Sequence, residues 1–576
     1  MPKPIQTPPY SPWDSQARLL LWLATCVSVL SFLFYFKAGE VLLYGDAIAH
    51  INIARRVFDS KTPGLLQLGT VWLPLPHLLM VPFLLSNEMW QRGVGGSIPS
   101  MAAYALAVVG IFRLLRGLLS RDGEPSAAAR IAPWVAALIF AANPNLIYMQ
   151  TTAMGEALYL TFFLWAVVYF SEWTRGHANA LTKCGFCLAA ACLTRYDGWF
   201  LTAAMAGTVL IVNLLPSAKR FAGLRLSRLV LAKFILLAAA APLLWFAYNG
   251  IVYRNPLEFE NGPYSAKAIE RRSQTASNPG HPGSGNLEEA SLFFLKSGEI
   301  NLANHEWLQR TWVALVFAGI FAAVLTYRRE SNPTDQSSNA ASKPHHEQPA
   351  WVPLLFLLVP VPFYALSIAH GGVPIFVPTW WPHSHYNVRY GLQLLPAFSV
   401  APAIVIYFAI QCRGWNRQIR VAILALVFAL VCVSYTSIWS AGPVCLKEAQ
   451  INMRDRNELE KQLAAWLQKL PSDSTLLMYL GDHVGALQQA GIPLNHTINE
   501  GNHRTWKQPV DLDGLWERAL ADPAQYADYA VASEGDAVWQ MAHAHSLPAL
   551  VVIHTTGQSP IIVYCLRSTA CGNQLR

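Results

Sequence analysis

Residues 19–60 read LLLWLATCVSVLSFLFYFKAGEVLLYGDAIAHINIARRVFDS, a long apolar run that gives way at Tyr44 to charged and polar side chains. About 20 consecutive apolar residues are enough for a helix to cross the hydrocarbon core of a bilayer. We predict that residues 18–43 form a membrane-spanning helix, kept as a signal anchor because no small-residue cleavage site follows it. The polar residues after it, beginning with Asp46, then lie at a membrane surface.

The composition of the whole chain agrees with a membrane protein. Of its 576 residues, 53% are hydrophobic and 13% are charged, and the mean hydropathy is +0.29. Because about a quarter of the residues in a typical soluble domain are charged, soluble globular, collagen-like, coiled-coil and disordered classes are excluded. Residues 445–576 hold 10 Lys and Arg against 14 Asp and Glu, a net charge of −4, so residues 1–444 carry +12 toward the total of +8. A membrane part and a separate soluble part follow.

Apolar runs of this kind recur through the first 440 positions, and we predict eleven spans that pack as a helical bundle. The predicted spans cover residues 18–43, 98–119, 131–150, 157–172, 181–194, 197–215, 230–250, 307–327, 351–369, 391–411 and 418–440. A further apolar run, residues 70–86, is short and contains three prolines, so we predict a re-entrant or interfacial helix there. The predicted fold class is mainly α, a polytopic membrane bundle.

Charge in the short connections predicts the orientation of the bundle. Connections on one side hold clusters of Lys and Arg, as at Lys219, Arg220 and Arg413, whereas those on the other side hold almost none. By the positive-inside rule, the basic side and the N-terminal residues 1–17 are cytoplasmic. We expect a multi-pass protein of a bacterial inner membrane, with its membrane module over residues 18–443. The segments predicted to lie outside are the loops 44–97, 251–306 and 370–390 and a C-terminal domain, 444–576.

The C-terminal domain is predicted to be α/β, with a helix over residues 447–469. Its predicted strands lie at 475–481 and 529–533 and in a hairpin at 548–566. Asp482 and His483 follow the first strand, where open α/β sheets often place sites, although a helix cap is the simpler interpretation. The cysteines of this domain, which allow at most one internal disulfide, are Cys445, Cys565 and Cys571.

Ionisable residues at the outer ends of spans are the candidates for chemistry. No phosphate-binding loop, zinc-protease motif or nucleophile elbow occurs, so nucleotide hydrolysis and the common hydrolase chemistries lack their groups. Asp46 and His50 are spaced i, i+4 and share one helical face, whereas Ile48 and Ile51 lie on another that could rest on the membrane. Asp46 either caps this helix or belongs to an active site, and the spacing leaves both interpretations open.

Three further charged residues lie at the junctions of spans. Glu156 opens the apolar run EALYLTFF, where a carboxylate would also suit the helix dipole. Arg195 and Asp197 lie between two short spans in LTRYDGWFL and could simply pair with each other. Because charge near the membrane is costly, all three are candidates for a functional site.

The segment WWPHSHYNVRYGLQLLP, residues 380–396, is dense in aromatic residues and His. Trp and Tyr at a membrane interface usually form only the aromatic belt. Arg389 is different, because it is a fixed cation at the outer mouth of a span and suits the phosphate of a lipid-linked substrate. We expect its loss to cost less stability than the loss of a buried ion pair would.

The order of these features resembles the GT-C superfamily of integral membrane glycosyltransferases, particularly its protein O-mannosyltransferase and aminoarabinose-transferase-like branch. The resemblance covers roughly residues 18–410 and rests on the ordered set of short motifs rather than on any one. In chain order, the motifs are GDAIAHINIARR, WLPLPHLLMVPF, MGEALYLTFFLWAVVYF, LTRYDGWFL and VRYGLQLLPAF. The paired acids that the family often has after its first span are absent, because Gly45 and Ala47 flank Asp46. The resemblance therefore implies no definite cofactor, and a divalent metal stays an open alternative.

The resemblance implies an inverting transfer of a sugar from a polyprenyl-phosphate donor to a glycan, lipid or protein acceptor at the outer membrane face. It implies that Asp46 is the catalytic acid, which would take the acceptor proton. We assign Arg389, with Tyr390 and Arg195, to the donor phosphate. The residues assigned to the substrate pocket are His50, Glu156, Asp197, His383 and His385.

Other functions stay open at this point. En bloc oligosaccharide transfer is the alternative within the enzyme interpretation. A transporter or flippase would place its charges near the middle of the membrane, at broken helices, whereas the charges here cluster at one face. A non-catalytic scaffold is a third alternative. We expect contacts with the bilayer and none with nucleic acid.

Overall fold

The computed structural model describes residues 13–119, 126–214, 226–273, 281, 283–331, 351–372, 387–412, 414–502 and 514–567. Two residues assigned to the pocket, His383 and His385, lie outside these ranges, as does Cys571. Helices dominate the described chain, and the single sheet is confined to the C-terminal domain.

The regular elements in the described part of the predicted membrane module are all helices. Its α-helices are α1 (Ser15–Lys37), α2 (Gly45–Arg56), α3 (Pro74–Met80), α4 (Asn87–Gln91), α5 (Val94–Leu119), α6 (Ala127–Ala141), α7 (Pro144–Met149), α8 (Glu156–Thr174), α9 (Ala178–Cys192), α10 (Asp197–Leu214), α11 (Arg228–Val252), α12 (Glu258–Asn261), α13 (Ala266–Ser273), α14 (Leu287–Ile300), α15 (Glu306–Ser331), α16 (Pro360–His370), α17 (Leu395–Gln411) and α18 (Arg417–Ala441). The 3₁₀ turns Val352–Leu358 and Val388–Leu394 lead into α16 and α17. The chain is an integral membrane protein with multiple spans.

The predicted count of eleven spans is not confirmed. Within the described residues, nine helical segments are long and apolar enough to cross a membrane. The predicted spans 131–150 and 181–194 correspond to the 15-residue helices α6 and α9. The first of these runs is broken because Asn143 caps a new helix, α7, by accepting a hydrogen bond from the amide of Leu146 at 3.0 Å.

The bundle has a buried centre and an apolar surface. Helices α5, α8 and α17 are largely buried, whereas α1, α11 and α18 expose many large apolar side chains, such as Leu30, Leu236 and Phe428. Such side chains suit a helix that faces lipid, because hydrocarbon tails solvate them as well as a protein core does. The peripheral helices therefore mark the lipid-facing surface of the bundle.

Helix α2 lies inside the protein rather than on a membrane surface. Ile48 and Ile51, predicted to rest on the membrane, are buried at 4% and 0% exposure in the protein core. The predicted apolar face is buried in the protein, and His50, predicted on the other face, is buried as well. The predicted re-entrant run forms the seven-residue helix α3 and a 3₁₀ turn, too short to span the bilayer.

The C-terminal domain contains helices and a five-stranded sheet. Its elements are α19 (Val444–Leu467), β1 (Leu476–Met478), α20 (Leu480–Ala490), β2 (Thr497–Ile498), α21 (Leu515–Ala521), α22 (Pro523–Tyr526), β3 (Tyr529–Ser533), α23 (Ala537–Ala544), β4 (Ala549–Ile553) and β5 (Ile561–Cys565). The strand order is β2-β1-β3-β5-β4, with β2, β1 and β3 parallel and β5 antiparallel to both neighbours. The predicted strands and hairpin are present, and only the two-residue β2 escaped prediction.

The C-terminal domain packs firmly on the chain that follows the first span. Gln488 donates to the backbone oxygen of Trp90 at 2.8 Å and accepts from the Asn52 amide at 2.7 Å. Asn502 donates to the Thr62 hydroxyl at 2.8 Å. One continuous apolar core runs from α1 through the bundle into β5. The charge difference between the two parts predicted a separate soluble domain, but the two parts share a core.

The described residues include two cysteines of the C-terminal domain. Cys445 is buried with a free thiol, and Cys565 at the end of β5 is disulfide-bonded.

Candidate active site

A cavity of about 590 Å³ lies where α2, α8, α10 and α16 meet the turn Val388–Leu394. Its volume is within the range of about 300–1,000 Å³ typical of small-molecule sites. Seven of the nine predicted site residues line it, and the other two are the histidines outside the described residues. The seven are Asp46, His50, Glu156, Arg195, Asp197, Arg389 and Tyr390. Asp46 and Arg389, which are 343 positions apart in sequence, therefore share one site.

Arg389 joins three carboxylates of the site. Its Nη2 donates to Asp46 Oδ2 at 2.8 Å, its Nε to Glu156 Oε1 at 3.2 Å, and its Nη1 to Glu448 Oε1 at 2.7 Å. The residue is 7% exposed. Arg389 is therefore buried and ion-paired, whereas the sequence predicted a single fixed cation at the mouth of a span. The turn Val388–Leu394 packs against α19, and the guanidinium group contacts Asp46 of α2.

Arg195 forms a second centre of charge beside the first. Its Nη1 donates to Glu156 Oε1 at 3.1 Å, and its Nε approaches Asp197 Oδ2 at 3.3 Å. Its Nη2 donates to the Tyr364 hydroxyl at 2.9 Å, and that hydroxyl donates to Asp197 at 3.0 Å. The predicted pair of Arg195 with Asp197 is therefore present, and Glu156 links the two guanidinium groups.

We call these residues the ion cluster: the half-buried Arg195 and the buried Arg389, Glu156, Asp197 and Glu448. Together with Asp46, two cations and four carboxylates give a formal charge of −2. Glu156 Oε2 and Asp197 Oδ1 are buried and have no hydrogen-bond partner within the described chain. Since an unpaired buried acceptor is costly, these two oxygens are suited to receive hydroxyl groups of a ligand.

Asp46 does not act as a helix cap. The cap position of α2 is Tyr44, whose side chain makes no capping hydrogen bond, and the Asp46 carboxylate instead pairs with Arg389. The Asp46 side chain is 43% exposed, whereas the carboxylates of Glu156, Asp197 and Glu448 are 1–3% exposed. Asp46 is thus the most exposed carboxylate of this group.

Tyr390 lies between the two cations. The Cζ atoms of Arg195 and Arg389 are each 5.2 Å from the centre of its ring, within the distance of a cation–π contact. Tyr364 stacks on Tyr390 with 5.1 Å between ring centres. The aromatic rings keep the guanidinium groups in place and give the cavity an apolar wall.

His50 lies in the cavity wall as part of a neutral pair. Its Nδ1 is 2.7 Å from Nε2 of His77 on α3, so one ring donates a proton and the other accepts it. Burial lowers the pKa of His50 to about 4 and that of His77 well below its usual range. Two neutral imidazoles therefore support the helix that carries Asp46.

The outer edge of the cavity carries exposed charge. Lys267 on α13 pairs with Glu260 on α12, and these side chains are 36% and 43% exposed. His370, at the end of α16, also lines this edge and is exposed. We call these three residues the rim.

Sequence reasoning missed several members of the site. Glu448 lies in a helix rich in charged residues, where one acid gives no signal. Lys267 lies in an outer loop with many polar residues. His77 did give a signal, since it is an ionisable residue within the apolar run WLPLPHLLM. No cluster of three or more His, Cys, Asp or Glu able to hold a metal occurs among the described residues, so no step is derived through a metal.

Comparisons with known proteins extend the description of the fold. No protein-family model matches this sequence, and no curated protein matches it. Among solved structures, the chain is similar to ArnT from Cupriavidus metallidurans in the apo state, with TM-score 0.51 and 15% identity over 96% of this chain and 99% of that chain. The form bound to undecaprenyl phosphate gives TM-score 0.50 and 14% identity over 96% and 98% of the two chains.

A weaker likeness, at TM-score 0.42 and 12% identity, is to the Archaeoglobus fulgidus oligosaccharyltransferase, over 89% of this chain and 68% of that chain. Identities this low show the fold alone. The likeness to ArnT therefore shows a shared fold.

Proposed function

We propose that this chain, which has the fold of ArnT, is a membrane glycosyltransferase. Its donor is a sugar linked to a polyprenyl phosphate, and its acceptor is a hydroxyl group of a glycan, lipid or protein. The likeness to a structure bound to undecaprenyl phosphate supports the class of donor. The cavity supports the class of reaction, because its wall contains both an exposed carboxylate, Asp46, and buried polar groups.

The exposure of Asp46 is the observation that carries this proposal. A general base must reach the proton that it removes, to within about 3 Å or through one water. Asp46 is 43% exposed and lines the cavity, whereas the other carboxylates hydrogen-bonded to Arg389 are buried. We therefore assign the role of general base to Asp46.

The reaction is a single displacement at the anomeric carbon. Asp46 takes the proton of the acceptor hydroxyl while the acceptor oxygen forms a bond to the anomeric carbon. The bond from that carbon to the phosphate oxygen breaks, and polyprenyl phosphate leaves with the electron pair. Attack opposite the leaving group inverts the anomeric configuration. Glu156 Oε2 and Asp197 Oδ1 accept hydrogen bonds from sugar hydroxyls.

The donor phosphate fits the rim better than the ion cluster. Arg389 and Arg195 each already donate through all three nitrogens, and carboxylates outnumber the cations in the cluster with Asp46. Lys267, whose side chain is 36% exposed, and the exposed His370 lie at the edge of the cavity. We therefore move the phosphate contact from Arg389, Tyr390 and Arg195 to the rim and keep the arginines as supports of the carboxylates.

The direct test uses the purified full chain in nanodiscs with synthetic undecaprenyl-phosphate hexoses and pentoses. Release of undecaprenyl phosphate and formation of the glycoside are followed by mass spectrometry. Asp46→Asn should lower turnover by about 10²–10⁴-fold, because an amide cannot take the proton. Asp473→Asn, at an exposed position of the C-terminal domain, is the matched control. Normal turnover in Asp46→Asn would contradict the assigned base, and no release from any donor would contradict the proposed function.

The proposed orientation has its own test. We propose that the cavity and the C-terminal domain lie outside a bacterial inner membrane, as the loop charges favour. Reporter fusions after residue 576 and within residues 331–350 should then report opposite sides of the membrane. A cytoplasmic signal from the fusion at residue 576 would contradict this orientation.

A further inference from the structure

Glu448 belongs to the C-terminal domain, but its side chain reaches the ion cluster. It lies in the first turns of α19, which begins after Gly442 and Pro443 end the last helix of the bundle. Its carboxylate is 3% exposed and accepts three hydrogen bonds. The donors are Arg389 Nη1 at 2.7 Å, the Val388 amide at 2.8 Å and the Tyr44 hydroxyl at 3.3 Å. Glu448 does not line the cavity.

The contacts of Glu448 determine where Arg389 points. A guanidinium group is planar and rigid, so fixing two of its nitrogens fixes the direction of the third. Glu156 binds Nε and Glu448 binds Nη1, which leaves Nη2 directed at Asp46. The same Glu448 carboxylate holds the amide of Val388, the residue before Arg389. One buried acid therefore positions both the backbone and the side chain at this point.

We propose that Glu448 is a positioning residue, which holds Arg389 so that Arg389 orients the Asp46 carboxylate toward the acceptor. The C-terminal domain then contributes a residue that the active site needs. This inference rests on the proposed function, in which Asp46 is the general base.

Attachment of α19 to the helical bundle does not explain why a buried acid is present at position 448. The first part of α19 already has other polar contacts with the bundle: the Cys445 amide donates to Asn145 at 3.0 Å, and the Gly45 amide donates to Asn452 at 2.9 Å. Burying an acid is costly, and an ion pair with good geometry does no more than offset that cost. Since attachment does not require a buried charge here, a role in the site is the better explanation.

The test compares Glu448→Gln with Glu460→Gln in the full chain in nanodiscs. Glu460 is a matched control, because it is also a buried acid of α19 with an arginine partner, Arg456 at 3.6 Å, and makes no contact with Arg389. Glu448→Gln should lower kcat by about 10–100-fold, the effect of a small misplacement of a catalytic group. The donor KM should change by less than about threefold, since Glu448 does not line the cavity.

The pH profile separates positioning from a general loss of structure. Loss of Glu448 frees the Arg389 guanidinium group from its position beside Asp46, and a carboxylate that loses a neighbouring cation is protonated more easily. The acid limb of the pH–rate profile should therefore move to higher pH in Glu448→Gln and stay in place in Glu460→Gln. Glu448→Asp keeps a carboxylate for Arg389, so its limb should move less than that of Glu448→Gln. This variant also serves if Glu448→Gln does not fold.

A second measurement needs no turnover. A water-soluble carbodiimide with an amine nucleophile labels protonated carboxyl groups, and mass spectrometry locates the label on the peptide that contains Asp46. The pH of half-maximal labelling should be higher in Glu448→Gln than in the wild type, because Arg389 is no longer held beside Asp46. If the wild type transfers no sugar, the proposed function fails, whereas this labelling still decides the role of Glu448. Unchanged kcat with unchanged labelling, or the same shifts in Glu460→Gln, would overturn the inference.

Discussion

The ion cluster and the rim both border one cavity, but they hold their charges in different ways. Glu156, Asp197 and Glu448 are 1–3% exposed, and each accepts from at least one guanidinium group. In the rim, Lys267 and Glu260 are 36% and 43% exposed and form a single pair. Burying the charges of the cluster costs free energy, and removing one partner leaves another charge buried and unpaired. Water screens the charges of the rim.

This difference assigns different tasks to the two regions. A group that must be in place before the reaction begins belongs in a rigid, water-poor environment, where it needs no reorganisation. A group that receives a long lipid-linked donor and later releases it is better placed at an exposed edge. The cluster therefore suits the orientation of Asp46, and the rim suits the binding of the donor.

The largest expected effect follows removal of the arginine at the centre of the cluster. Arg389→Ala leaves Glu448 buried without a cation and removes the partner of Asp46, so we expect a loss of about 3–5 kcal/mol in stability and of nearly all turnover. Thermal unfolding in detergent, followed by intrinsic fluorescence, measures the first effect. An Arg389→Ala protein with wild-type thermal stability would mean that the cluster is no more rigid than the rim.

The second prediction concerns the pH dependence of stability, and it compares a substitution of His50 with one of His370 in the rim. Burial lowers the pKa of His50 from 6.5 to about 4, so at a pH between these two values the unfolded chain binds a proton at His50 more readily than the folded chain does. The contribution of neutral His50 to the free energy of unfolding is complete above about pH 6.5. It is lost as the pH falls toward 4, by about 1.4 kcal/mol for each pH unit between the two pKa values. His50→Gln should therefore lose less stability than the wild type between about pH 7 and pH 4.5.

Thermal unfolding of the wild type and of both variants across this range tests the prediction, with His370→Gln as the control substitution at the rim. A His50→Gln curve that falls as steeply with pH as the wild-type curve would contradict it.

The smallest effect is expected at the rim. Lys267→Ala should raise the donor KM about fivefold, equivalent to the roughly 1 kcal/mol of an exposed ion pair, with thermal stability unchanged. The difference should shrink at high salt, because salt screens exposed charges. Titration with an undecaprenyl-phosphate sugar at two salt concentrations measures it, and Lys461→Ala on α19 is the control. A change in kcat at constant KM would place Lys267 with the cluster instead.

The helical bundle was predictable because the local sequence of each span indicates a helix. An apolar run long enough to cross a bilayer must be helical, since lipid offers no partner for backbone polar groups. The site residues in the junctions, such as Glu156 and Arg195, were predictable because charge beside a membrane is rare. The span count was less predictable, because the run 131–150 divides at Asn143 into two helices that composition alone does not separate.

The members of the site that were missed depend on contacts across the fold. Glu448 is 402 positions from Asp46, in a helix whose acids otherwise look like those of any solvated helix. Arg389 was recognised as a fixed cation, but its burial depends on α2 and α19 packing over it. Ile48 and Ile51 were recognised as an apolar face, but whether that face meets lipid or protein depends on the neighbouring helices.

The sequence by itself determined that the chain is a membrane bundle with a charged C-terminal domain, and that Asp46, Glu156, Arg195, Asp197 and Arg389 are its unusual residues. Periodicity and composition are local properties, and the cost of charge in a membrane applies to any fold. Only the tertiary structure decided which carboxylate is exposed and which are paired with arginine. Those outcomes depend on distances of about 3 Å between residues hundreds of positions apart, and packing alone sets such distances.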